Sequence, residues 1–148
     1  MKKEHYLHAL LFSITLLFTC CEPSVEEVED NNSNTQSGFF YAENGATTLT
    51  KAESAEANKQ YKTIIAKKDN QTIVEIVLTD LKAGTYSLSA KYAFNYVKDG
   101  KHWEATAGSL TISKNDGNKI SGTYEATAGA GVTGVNTVKG NFTDITVK

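Results

Sequence analysis

Tyr86, Leu88, Ala90, Tyr92, Phe94 and Tyr96 fall on one phase of a two-residue period, and Ser87, Ser89, Lys91 and Asn95 fall on the other. A helix repeats every roughly 3.6 residues, so an alternation this long predicts a long strand with one apolar, aromatic face. Shorter stretches follow the same rule. Val74, Ile76 and Leu78 alternate with Glu75, and Leu110 and Ile112 alternate with Thr111 and Ser113. Ile120, Gly122 and Tyr124 continue the pattern. Val138, Gly140 and Phe142 share one phase while Ile145 and Val147 share the other, which predicts a bulge near Thr143-Asp144. Between these runs stand turn formers: Asn44-Gly45, Asp69-Asn70, Ala83-Gly84, Asp99-Gly100 and Asn115-Asp116-Gly117-Asn118. The spacing predicts an all-β domain over residues 38–148, an antiparallel β-sandwich or barrel of about eight strands. Residues 52–59 (AESAEANK) read as one or two helical turns, and residues 126–134 (ATAGAGVTG) as a flexible loop or irregular edge.

The N-terminus obeys a different logic. Lys2 and Lys3 precede an uncharged, largely apolar run at residues 9–19, and Cys20, Cys21, Glu22 and Pro23 follow. That order describes a secretory signal over residues 1–20, and the apolar run is shorter than the roughly 20 residues a spanning helix needs. The two cysteines are the only ones in the chain and they are adjacent. A bridge between neighbours strains the intervening peptide, so a disulfide framework is not expected. These residues resemble the lipobox of bacterial lipoproteins, in which a Cys after a small residue takes a diacylglycerol and becomes the new N-terminus. Thr19 and Cys20 place two small residues before Cys21, whereas Cys20 has Leu17 three positions upstream but the bulky Phe18 two before it. Cys21 is read as the lipidated residue and Cys20 as the alternative. The fatty-acyl chains, of the palmitate kind, would hold the protein on the membrane at about 0.8 kcal/mol per buried methylene.

Residues 21–37 read as a flexible acidic tether. They carry the only Pro, five acidic residues (Glu22, Glu26, Glu27, Glu29, Asp30) and no Lys. Such a segment buries too little apolar surface to offset the entropy of ordering it. An acidic run just after a lipidated Cys also resembles the export signal of Bacteroidota lipoproteins that reach the cell surface; the plainer reading is a solvated linker. Without the tether the charge is nearly balanced, with 11 acidic residues and 13 Lys over residues 38–148. No strongly basic surface is present, and nucleic-acid binding is not expected. All 15 basic residues are Lys, so bidentate guanidinium clamps are excluded.

Four blocks carry a further resemblance: Ala83-Gly84-Thr85-Tyr86, Gly108-Ser109-Leu110-Thr111-Ile112, Lys119-Ile120-Ser121-Gly122-Thr123-Tyr124 and Gly140-Asn141-Phe142. In order and spacing, residues 38–148 resemble small Bacteroidota lipoproteins with a C-terminal all-β domain of unknown function. The resemblance implies an exported, anchored β-sandwich-like domain and brings no catalytic or binding residues.

Candidate chemistry is sparse. Once the signal is removed, His102 is the one remaining His, and no Gly-x-Ser-x-Gly elbow accompanies it. A Ser–His–Asp set could be drawn with Asp99 or Asp116, but His102 beside Trp103 after the Asp99-Gly100 turn reads more simply as the start of a strand. Oxygens of Asn115, Asp116 and Asn118 could hold a calcium ion, yet Asn-Asp-Gly-Asn is foremost a turn. No cofactor or metal is expected. Trp103, Tyr92 and Tyr96 could stack on sugar rings, although a β domain of this size also needs large side chains in its core. The sequence therefore points to a lipid-anchored protein of the cell envelope, on the outer membrane and, if the acidic tether is an export signal, on the cell surface. Its β domain reads as a non-enzymatic binding module for a glycan or an envelope protein. The alternatives are a structural envelope protein and, behind it, a small hydrolase using His102.

Overall fold

The computed structural model describes residues 36–148. The signal peptide, both cysteines and the tether up to residue 35 lie outside the described residues. Ten strands follow in order: β1 (Gly38–Glu43), β2 (Thr50–Lys51), β3 (Ser54–Asn58), β4 (Thr63–Lys68), β5 (Gln71–Val77), β6 (Gly84–Ser87), β7 (Phe94–Lys98), β8 (Lys101–Asn115), β9 (Lys119–Ala128) and β10 (Thr137–Val147). No helix occurs among the described residues. Of the two architectures the sequence left open, the domain adopts the barrel. The circuit β3-β4-β5-β7-β8-β9-β10 closes on itself through a short parallel seam, Thr146↔Glu56 and Val147↔Ala57. Closure removes the unpaired edges that an open sheet would expose. β1 extends the β10 edge, β2 pairs with β1, and β6 pairs with β8.

Two expectations about local structure are corrected. Residues 52–59, read as helical turns, hold strand β3 (Ser54–Asn58) instead. Its small Ala57 packs at the barrel seam between Ile64 of β4 and Val147 of β10, so tertiary pairing outweighs the helix propensity of a short Ala- and Glu-rich run. The long strand expected over residues 86–96 is two strands. β7 and β6 occupy the same edge of β8, at residues 101–104 and 109–112. Between them β8 bulges near Ala105 and Ala107, and the chain leaves the sheet over residues 88–93. Ala93 N donates to Ala90 O at 2.9 Å, and Tyr92 sits at φ 65°. Leu88, Phe94 and Tyr96 remain buried, whereas Tyr92 is turned out to 54% exposure.

The phase slip in β10 is real. The register with β9 shifts between Phe142 and Ile145, and Asp144 takes φ 48°. Ser121 holds the bulge, its hydroxyl accepting from Asp144 N at 2.9 Å. Gly140, on the same strand, lets β1 pass close: a Cβ there would stand 1.9 Å from Phe40 O. At Gly122 a Cβ would stand 2.3 Å from Thr111 O and 2.6 Å from the Phe142 ring.

The core is organised by aromatic rings in a continuous chain. Phe142 stacks on Phe39 (6.2 Å), Phe39 on Tyr124 (5.0 Å), and Tyr124 meets Phe94 (5.9 Å). Phe94 meets Trp103 (5.7 Å), Trp103 meets Tyr96 (5.6 Å), and Tyr96 meets Tyr41 (6.4 Å). Each such pair adds about 0.5–1.5 kcal/mol beyond area burial. The chain of rings leads from the middle of the barrel to one of its ends.

Candidate functional site

Three tight turns surround that end: Asn44-Gly45 after β1, Asp69-Asn70 between β4 and β5, and Asp99-Gly100 between β7 and β8. All six residues take positive φ, between 49° and 74°, as type I′ turns require. Asn, Asp and Gly are the residues that enter this region at least cost, which is why these turns were legible in the sequence. The loop at residues 129–136 forms the remaining wall. It is less free than the expectation for residues 126–134 implied. Ala126 and Ala128 belong to β9 and are buried, and Asn44 clamps the loop beyond them. Asn44 Nδ2 donates to Gly134 O at 3.0 Å, and Asn44 Oδ1 accepts from Asn136 N at 2.9 Å and from Thr137 N at 3.3 Å.

Two cavities open here, of about 790 Å³ and about 500 Å³. The larger lies between the β7–β8 hairpin and the loop, with Trp103, Val132 and Val135 as its apolar lining. The smaller reaches toward the Asp69-Asn70 turn. Glu43, Tyr96, Lys98 and Asp99 line both.

Glu43, Tyr96 and Lys98 form a hydrogen-bonded set at the boundary. The Tyr96 hydroxyl donates to Glu43 Oε1, and Lys98 Nζ donates to Glu43 Oε2. β-strand periodicity puts Tyr96 and Lys98 on the same face of β7, and Glu43 is the last residue of β1. Burial pushes the Glu43 carboxyl up, but the hydrogen bonds from Lys98 and Tyr96 and the Lys98 charge outweigh it. The carboxyl settles below the ordinary glutamate range. The hydrogen bond to Glu43 holds Lys98 above the ordinary lysine range. Tyr96 is driven far above a free phenol, first by burial and then by the Glu43 carboxylate. At neutral pH the set is thus an anion, a cation and a neutral phenol donor. The ion pair is partly exposed and contributes within about 1 kcal/mol, so its effect is mainly to fix geometry.

Trp103 and Tyr96 are cross-strand partners and their rings touch. They are 8% and 2% exposed, so little of either ring is open to the cleft. Tyr92 does not join them. It stands on the outer face of the sheet in a separate groove with Glu75, Asn95 and Glu104, and Lys91 Nζ lies 4.8 Å from its ring centre. His102, on β8, lines both that outer groove and the rim of the larger cavity. Among the described residues its side chain makes no hydrogen bond to a serine or an aspartate. Asp116 lies beyond the opposite end of β8, where its carboxylate accepts from Asn118 N and Lys119 N. Asn115 is likewise engaged, with Leu81 O and Gly117 N. No group of three or more His, Cys, Asp or Glu side chains converges as a metal ion would require, among the described residues.

Glu43, Asn44, Lys98 and the loop residues were not visible as site residues from the sequence. An acidic residue ending an apolar strand and a lysine before a turn are ordinary features; only their meeting across the barrel end makes them notable. Compared with known proteins, the chain matches no family model, no curated protein and no solved structure.

Proposed function

We propose that this chain is a lipid-anchored cell-envelope protein whose barrel domain is a non-enzymatic binding module, with the ligand seated in the cleft at the barrel end. The observation that carries this reading is the cleft of about 790 Å³, which combines an apolar lining with the fixed donors and acceptors of Glu43, Tyr96 and Lys98. Its volume falls within the roughly 300–1,000 Å³ typical of ligand pockets. The anchor rests on Cys21, with Cys20 as the alternative, behind an apolar signal at residues 9–19. The acidic tether supports placement at the outer membrane and, as an export signal, at the cell surface.

One observation favours a second reading, a structural envelope protein. Tyr96 and Trp103 are almost wholly buried and leave little aromatic surface for a ligand to stack on. A screen separates the two. The purified full-length chain is presented to arrays of envelope glycans and to solubilised envelope proteins, alongside Lys98→Ala. The binding reading expects a partner retained by the wild type and lost by the variant. A partner held equally by both would move binding away from the cleft, and a screen with none would favour the structural reading.

A further inference from the structure

We propose that the barrel-end cleft takes a neutral saccharide, with two neighbouring ring hydroxyls bridging Glu43 and Lys98. The inference rests on the reading of the cleft as the binding site and names the ligand class that its chemistry suits.

The charges come first. Two acids, Glu43 and Asp99, and two lysines, Lys98 and Lys101, line the cleft, so the formal charges cancel. A carboxylate ligand would approach Glu43 and Asp99 as well as the lysines, and an amine would approach Lys98 and Lys101 as well as the acids. Neither ion gains a net field, whereas a neutral ligand meets no repulsion.

Hydrogen-bonding capacity comes second. Each Glu43 oxygen accepts one bond within the protein, one from Tyr96 and one from Lys98, which leaves each with a further lone pair. Lys98 gives one of its three N–H groups to Glu43 and has a side chain 45% exposed. The site thus offers acceptors and donors side by side in a fixed arrangement. A hydroxyl is both donor and acceptor, so adjacent hydroxyls can donate to Glu43 and accept from Lys98 without either residue changing its charge. A protein surface would have to thread a polar side chain into a concave space to do the same.

Third, Trp103 is nine-tenths buried, lines the same cavity, and its indole N–H has no acceptor among the described residues. A buried donor without a partner costs about 1–3 kcal/mol, which an oxygen of the ligand, or a water it retains, would recover. Val132 and Val135 supply the apolar wall against which the C–H faces of a sugar ring can lie.

Trp103 is also the only tryptophan of the chain, so its emission reports on this cleft alone. The full-length protein is titrated with glucose, galactose, mannose, N-acetylglucosamine and short oligosaccharides of each, and in parallel with glutamate, lysine and a dipeptide. The proposal expects a saturable change in Trp103 emission with at least one sugar and none with the charged probes. It also expects affinity for that sugar to fall by at least about tenfold in Lys98→Met, the loss of a hydrogen bond to a charged group. Lys139→Met, on the outer face of β10, should bind as the wild type does. Matching thermal unfolding of the two variants guards against misfolding. Saturable responses to a charged probe without any to sugars would overturn the saccharide assignment and leave the binding cleft standing. Silence towards every probe would overturn the saccharide assignment, and joined to an empty envelope-protein screen it would overturn the binding cleft as well. A sugar response unchanged in Lys98→Met would overturn the bridging geometry.

Discussion

The hydroxyl of Tyr96, on β7, donates to the carboxylate of Glu43 at the end of β1, across fifty-three positions of chain. This bond ties β1, outside the barrel circuit, to β7 within it, and it also shapes the boundary between the two cavities. Tyr96→Phe keeps the ring and its contacts with Tyr41 and Trp103 while deleting the donor. The expected loss is about 1.5–3 kcal/mol, the range for hydrogen bonds to charged groups, read from the midpoint of urea unfolding. An unchanged midpoint would mean that solvent replaces the hydroxyl at no cost.

The same carboxylate makes the domain sensitive to acid. The Glu43 pKa is lower in the folded state than the ordinary value of 4.5. The folded state therefore binds the proton more weakly than the unfolded chain does. The stabilising contribution is fully present above the ordinary value and is lost as pH falls through the lowered one. Thermal unfolding followed from about pH 6 to about pH 3 should show a falling Tm. The fall should be shallower in Glu43→Gln, because this variant has no carboxyl at that position to titrate.

Asn44 positions the loop by three hydrogen bonds, to Gly134 O and from Asn136 N and Thr137 N. In Asn44→Ala these are lost while the β1 core residues Phe39 and Tyr41 are untouched. Amide exchange of residues 136 and 137 should quicken by roughly tenfold, equivalent to about 1.4 kcal/mol of local opening, with little change in the β9 amides. Uniform quickening across the domain would show that the loop and the barrel open together.

Gly140 has a different kind of importance. With Phe40 O only 1.9 Å from where its Cβ would be, Gly140→Ala forces β1 away from β10. Destabilisation of roughly 3 kcal/mol, at the upper end of overpacking costs, is expected in chemical denaturation. Ala substitution at Gly45, where nothing stands within 4 Å, meets only the cost of its positive φ and should be milder.

The anchor is tested at the membrane. Cys21→Ser should abolish metabolic labelling with a fatty acid and release the chain from the membrane fraction. Labelling that persists would move the anchor to Cys20. Protease treatment of intact cells should remove the barrel domain if the acidic tether directs surface export, and should leave it if the domain faces the periplasm.

The parts of the fold written in local patterns are readable in the sequence itself. The alternation of Val74, Ile76 and Leu78, the type I′ dipeptides and the bulge near Asp144 each depend on a few consecutive residues. The features that escaped depend on partners distant in sequence. Residues 54–58 look helical by composition and become a strand because the small Ala57 fits the seam between Ile64 and Val147. Tyr92 shares a phase with Phe94 and Tyr96, yet β8 is shared by two strands on one edge and the chain must leave the sheet between them. The site is a stronger case. Trp103 and Tyr96 stand out by their chemistry alone, but Glu43, Asn44 and Lys98 acquire meaning only through β1 and β7 meeting at one barrel end.

The most direct measurement is the indole N–H resonance of Trp103 in a proton–nitrogen correlation spectrum, a single peak because the chain has a single tryptophan. It is monitored while neutral monosaccharides and their short oligomers are added to the full-length protein. A binding cleft at this barrel end predicts that the indole peak shifts in a saturable way, together with the amides of residues 132–135 and of Tyr96 and Lys98. An indole peak that stays in place, while shifts gather around Tyr92 on the outer face or appear nowhere, would contradict it.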